Sequence, residues 1–285
     1  MKPRKAFKDL NFCDDFLFTA AMEDETVCKE VLQCILEFPI KKVVVHKEHS
    51  LVVSPEHRGI RMDVHADDED GTVFAIEMQT TDKGDLPQRS RYYAAQLDLL
   101  DLEPGDSYKK LRKSYIIFIC TFDPFNQELY RYTFEERSLE RDMSLGDGTC
   151  KIFLNTRGKN RTEVSAGLLH FLRFVENSEL CAQGGAAQED ALIINLHKRI
   201  SEIKRNRRME ERYMSFEERL EDERLEARTE GRAEGRAEGL QRGEERTLAL
   251  IAAMLEDHRT LEEVRKIGIS SDFKEEMLKQ YKIKV

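Results

Sequence analysis

The chain has 285 residues, 40% of them hydrophobic, and a formal net charge of −9, a composition that fits one sizeable soluble domain plus an appendage. No apolar run reaches bilayer-spanning length and no apolar signal segment follows the basic start Lys2, Arg4 and Lys5, so a cytoplasmic protein with no membrane association is expected. Acids and bases balance from Lys198 onward; the whole negative excess therefore belongs to the N-terminal portion, where binding of nucleic acid requires a local basic patch, a metal, or both.

In chain order, residues 14–37 read as one or two amphipathic helices with Phe16, Leu17, Ala20, Val27, Val31, Leu32 and Ile35 as apolar positions, ended by Pro39. Short strands are expected at 42–46 and 50–53. A hairpin follows over 60–79, and Asp85 caps a helix over about 86–100. The run at 114–121 reads as a buried central strand, 127–134 and 150–155 as two more strands, and 164–175 as an amphipathic helix. This order predicts a mixed α/β domain over residues 1–180. Cys13, Cys28, Cys34, Cys120, Cys150 and Cys181 show no Cys-x-x-Cys spacing and read as reduced thiols rather than a disulfide frame or a zinc site.

Small residues at 181–190 look like a linker. Over 191–246 a charged helix carries an apolar stripe, Ile193, Leu196, Ile200, Ile203, Met209, Tyr213, Phe216 and Leu220, that needs either the core or a second chain as partner. Its end is a period-four repeat, Glu230-Gly-Arg-Ala-Glu-Gly-Arg-Ala-Glu-Gly239, which lines up Arg228, Arg232 and Arg236 on one stripe and Glu226, Glu230, Glu234 and Glu238 on another. Like charges at i,i+4 and repeated Gly make this segment weak alone and suited to pairing with another helix, hence a homo-oligomer or a fraying spacer. Residues 247–285 read as a small helical tail with a capping box from Thr260 to Glu263.

The hairpin carries the chemistry. A three-residue loop Glu69-Asp70-Gly71 closes the pair Asp68 and Thr72, and counting outward sets Asp63 opposite Glu77. Opposed carboxylates repel unless a positive charge lies between them. Gln79 shares the Glu77 face. An acidic hairpin is ordinarily a solvated face, but residues 73–78 are apolar on both sides, so Glu77 ends a buried strand. A hard cation such as Mg²⁺ takes one or two carboxylates plus waters and phosphate oxygens, which Asp63 and Glu77 supply, with the Met78 carbonyl as a third oxygen. His65 shares the Asp63 face and reads as a plain polar histidine.

Asp63, then Glu77-Met-Gln79, then the helix Gln88-Arg-Ser-Arg-Tyr-Tyr-Ala-Ala-Gln96 together resemble the PD-(D/E)XK nuclease superfamily, and within it the Rpn-type recombination-promoting nucleases, also described as transposases. The likeness includes the stretch Asp14-Asp15-Phe-Leu-Phe18, the strand at 115–120 and the Glu/Arg/Gly-rich helix, and so covers about the whole chain. It implies a restriction-endonuclease-like core and magnesium-dependent DNA cleavage. Asp63 and Glu77 are then metal ligands, and Gln79 stands at the catalytic position where the family has Lys. Arg89, Tyr93 and Gln96 share a helix face suited to substrate phosphate. The first-helix acid is Asp15, with Asp14 and Glu23 as alternatives. Because Gln79 replaces a Lys, a second function is a catalytically inactive nuclease fold that serves as a DNA-binding or protein-interaction module.

Overall fold

A computed structural model describes residues 5–46, 50–51, 59–179 and 190–283. The linker expected at 181–190 lies outside the described residues except for Asp190, as do 52–53 of the second short strand. The chain divides into two compact units, Met1–Tyr213 and Met214–Val285.

In the first unit the expected N-terminal helix is two helices, α1 (Asp15–Met22) and α2 (Glu25–Leu36). The division falls at Asp24, whose carboxylate accepts from the Thr26 and Val27 amides and so starts a new helix. Glu37, at φ 60°, ends it. The sheet has six strands in the order β1 (Val43–His46), β4 (Val64–Asp68), β5 (Val73–Gln79), β6 (Ser114–Cys120), β8 (Thr149–Asn155) and β7 (Arg131–Phe134). Strands β5, β6 and β8 run parallel, whereas β1, β4 and β7 are antiparallel to their neighbours. Of the three parallel strands, β5 and β6 are the almost wholly apolar ones, as burial on both faces requires, and β8 is buried over its second half.

Two strands differ from their sequence expectation. Residues 60–66 do not run as one strand: β3 (Ile60–Arg61) pairs with β2 (Ser50–Leu51) in a separate two-stranded sheet, and the chain bends at Asp63 before β4 begins. Residues 127–130 are not strand either, because Asp123 gathers the amides of Phe125, Asn126 and Glu128 into a turn and delays β7 to Arg131.

Helix α3 (Leu86–Asp101) connects β5 to β6 and lies on the sheet face that carries Val73, Ala75, Ile116, Phe118 and Phe153. Asp85 stands at its start, yet its side chain makes no capping bond. On the opposite face Tyr115 stacks on Phe74 and meets Phe38, just past α2. Helix α4 (Ala166–Glu176), capped by Ser165, joins α1, α2 and α5 (Ala191–Arg205) in a second apolar layer. Here Phe12 meets Phe18, Phe171 and Phe174, and α5 buries Ile193, Leu196, Ile200 and Ile203. These four residues of the apolar stripe seen in the sequence are thus satisfied by the core. Asn206 breaks that helix, and its side chain accepts from the Arg208 amide to start α6 (Arg207–Glu256). Tyr213 closes the unit against Phe7 and Phe16, with its hydroxyl donating to the Lys5 carbonyl at 2.9 Å.

In the second unit α6 runs unbroken past residue 246. Its repeat lies exposed to solvent, and one attractive i,i+4 contact, Arg242 to Glu238, ends the repeat, because Arg242 falls two residues out of the period. The helix C-terminus, α7 (Leu261–Lys266) and α8 (Ser271–Gln280) enclose Leu250, Met254, Ile267, Met277 and Leu278. The Thr260 and Glu263 capping box forms as the sequence predicts.

Candidate active site

The hairpin turn fixes the register that the rest of the site depends on. Gly71 adopts φ 80° and donates to Asp68 O at 3.2 Å, while Asp68 donates to Thr72 O at 3.0 Å, which is the three-residue loop read from the sequence. Val64 pairs with Ile76, so one further step places Asp63 level with Glu77. Asp63 itself lies in the bend before β4, where its amide is released from the ladder. That amide donates to Glu77 Oε1 at 3.0 Å, and the Met78 amide donates to Asp63 Oδ2 at 2.8 Å. Each carboxylate is held by a main-chain N–H of the opposite strand, a stronger anchor than a side-chain contact because the donors cannot rotate away.

Glu77 is 3% exposed, and burial is the first reason that its carboxyl rises well above the usual carboxylate range, with the nearby charge of Asp63 second. Burial likewise pushes Asp63 up to about 7, opposed by the Met78 amide and reinforced by the charge of Asp15. A pair in this state holds protons near neutral pH or takes a cation in their place.

Helix α3 brings Arg89 onto the pair. Its Nη1 donates to Gln79 Oε1 at 2.9 Å, and its Nη2 lies 3.3 Å from Glu77 Oε2 and 3.2 Å from the Tyr93 hydroxyl. The guanidinium carbon stands 5.4 Å from the Phe118 ring centre and 5.6 Å from that of Tyr93, so it is packed as well as paired. The Tyr93 hydroxyl lies 3.4 Å from Glu77 Oε2 and 3.5 Å from the Arg61 carbonyl, and burial followed by the Glu77 charge pushes it up to about 12.

Of the three first-helix acids, Asp14 is engaged by Lys5 at 2.7 Å and Glu23 by Arg212, whereas the charge of Asp15 bears on Asp63. Gln96 shares the α3 face but lies deeper in the core, 4% exposed, with its Oε1 enclosed and making no hydrogen bond. Sequence reasoning did not foresee that Arg89 would bond to Gln79. The signal was present as a cation one helical turn before Tyr93, but its partner follows only from how α3 crosses β5. It also missed the lock between the Asp63 and Met78 amides and the two carboxylates, since the alternation over 60–66 does not show the chain leaving the strand at Asp63.

A mixed sheet with a buried carboxylate toward the carboxyl end of a parallel strand and a second, half-buried one beside it, backed by a helix that delivers an arginine, has the architecture of a PD-(D/E)XK nuclease core. The sequence model of the PD-(D/E)XK nuclease family transposases matches residues 7–230, and the chain belongs to that family. No curated protein and no solved structure matches it.

Proposed function

We propose that the chain is a divalent-metal-dependent DNA endonuclease, of the recombination-promoting type, that hydrolyses phosphodiester bonds at the Asp63–Glu77 pair. The observation that carries this reading is the reciprocal lock that holds the buried Glu77 and half-buried Asp63 carboxylates together beside one arginine. The donor set is all oxygen and its carboxyls resist charge without a counter-ion, which fits Mg²⁺ or a similar hard cation held by Asp63 and Glu77. Bound there, such a cation supplies polarisation of the phosphate and a more acidic water.

The chain's own residues do the rest. Arg89 offers a fixed positive charge to a non-bridging phosphate oxygen and stands in for part of what a Lys at position 79 supplies. With its Oε1 engaged by Arg89, the Gln79 amide keeps N–H donors that orient water or phosphate. Tyr93 steadies Glu77, Asp15 adds an acid at the rim, and Gln96 is the weakest member of the substrate-binding set because of its depth. The exposed repeat of α6, with its separate Arg and Glu stripes, supports self-association of the chain.

The test is nicking of supercoiled plasmid by the full-length protein with Mg²⁺ and with EDTA. The reading predicts cleavage with Mg²⁺, abolished in Asp63→Ala and in Glu77→Ala. DNA binding without cleavage by wild type in Mg²⁺ and in Mn²⁺ would favour the inactive-module reading, for which Gln79 in place of Lys is the supporting observation.

A further inference from the structure

Along β4 from Asp63, the same sheet face carries a second cluster of a different chemical kind. His46 of β1 is paired directly across the ladder with His65 of β4, and their rings lie 4.5 Å apart. Asp67, two residues on from His65 and on the same face, has Oδ2 at 3.1 Å from His46 Nε2 and Oδ1 at 3.8 Å from His65 Nε2. The ligand atoms of the three residues all lie within 4.8 Å of one another. The His46 to Asp67 approach lacks the angle a hydrogen bond needs, so His46 Nε2 and Asp67 Oδ1 are enclosed polar atoms without a hydrogen bond among the described residues. Enclosing such atoms is costly unless they gain a partner.

The surroundings are built to hold the carboxylate and leave one oxygen open. Arg112 Nη1 donates to Asp67 Oδ2 at 3.0 Å, and the same guanidinium grips Asp101 of α3 through Nε at 2.8 Å and Nη2 at 2.6 Å. With neutral imidazoles the group of Asp67, Asp101 and Arg112 keeps one net negative charge, which a cation offsets. Arg112 is then an outer support of the kind that fixes a ligating carboxylate, with Asp67 Oδ1 toward His65 and the Arg112-held Oδ2 toward His46.

We propose that His46, His65 and Asp67 form a binding site for a borderline divalent transition metal, Zn²⁺ above all, separate from the Asp63–Glu77 pair. Two imidazole nitrogens and one carboxylate oxygen match the preferences of such ions and not of Mg²⁺, which selects oxygen. Ligands at about 2.0 to 2.2 Å from one ion lie roughly 3 to 4 Å apart, so small side-chain rotations close the cluster. Three protein ligands leave a fourth position for water. His65 stands two positions on from Asp63, about 6.6 Å along an extended chain, and the two centres draw on different side chains. The ion's direct effect is to fasten the edge strand β1 to β4. The inference does not depend on nuclease activity.

The test is calorimetric titration of Zn²⁺ into the metal-free full-length protein, with X-ray absorption of the zinc-loaded wild type. Expected are one equivalent of Zn²⁺ in excess Mg²⁺, retained in the Asp63→Asn/Glu77→Gln double variant, and weakened at least tenfold in His46→Ala and in Asp67→Asn. The absorption spectrum should show two imidazoles and nitrogen/oxygen donors only. Absence of binding in wild type, a spectrum without imidazole, or binding unchanged in a folded His46→Ala would each overturn the assignment. The spectrum needs no variant, so a misfolded substitution leaves the proposal open to refutation.

Discussion

Asp63 and Glu77 are acids that folding penalises when charged, and the direction of that penalty sets how the metal-free protein responds to pH. The folded Asp63 carboxyl, at about 7, keeps its proton where the unfolded one, near 3.8, has lost it. The unfolded state therefore binds fewer protons between these values, and stability falls as pH rises from about 4 to 7, with the raised Glu77 carboxyl adding to the fall. In EDTA the thermal midpoint should drop over that window by the equivalent of up to about 4 kcal/mol, and Asp63→Asn should flatten the slope. A midpoint that rises from pH 5 to 8, or a slope unchanged in Asp63→Asn, contradicts this placement. Arg89→Ala removes the counter-charge of Glu77 and the partner of Gln79 together. It should cut cleavage by about 10²-fold or more, as loss of one preorganised charge-stabilising donor does, with Arg89→Lys recovering part through charge without the fork. Single-turnover rates of the three proteins check it, and full activity in Arg89→Ala would remove Arg89 from the mechanism.

At the scale of elements, the hairpin was legible because its register is local: Asp70-Gly71 selects the loop, and a period of two does the rest. Gly71→Ala forces a side chain into φ 80° and should destabilise by about 1 kcal/mol, while shifting the Asp63–Glu77 alignment enough to lower cleavage. Gly158→Ala should cost more, because its Cβ would fall 2.5 Å from the Tyr130 ring and main chain. Denaturant midpoints measure both, and a neutral Gly158→Ala would mean that the loop yields easily. The bend at Asp63 was not legible, since a continuous apolar and polar alternation over 60–66 gives no hint that β2 captures Ile60 and Arg61. Nor was the late start of β7, where the Asp123 side chain takes the Glu128 amide that strand propensity assigns to the ladder. The paired position of His46 and His65 depends on the same nonlocal pairing of β1 with β4, so the sequence alone left His65 an ordinary polar residue.

For the whole molecule, the apolar stripe beyond residue 190 posed a choice between core and partner chain, and the structure divides it. Ile193, Leu196, Ile200, Ile203 and Tyr213 are buried in the first unit, while the repeat in α6 is exposed. Each of those isoleucine and leucine side chains contributes about 1.5–3 kcal/mol, together comparable with the net stability of a domain. A chain ending at residue 189 should therefore misfold, whereas one ending at Tyr213 should keep a cooperative thermal transition and lose self-association by light scattering. An unchanged oligomeric state in the chain ending at Tyr213 would count against a role for the repeat. The central claim, that the buried Asp63–Glu77 pair performs metal-dependent phosphodiester cleavage, is tested most directly by the single-turnover cleavage rate of wild type against Glu77→Gln. Glu77→Gln keeps the size of the side chain while removing its charge. Wild type should cleave in a Mg²⁺-dependent manner, and a Glu77→Gln protein of undiminished thermal midpoint should lose about 10³-fold or more. Equal rates in the two proteins, or cleavage that persists in EDTA, would contradict the claim.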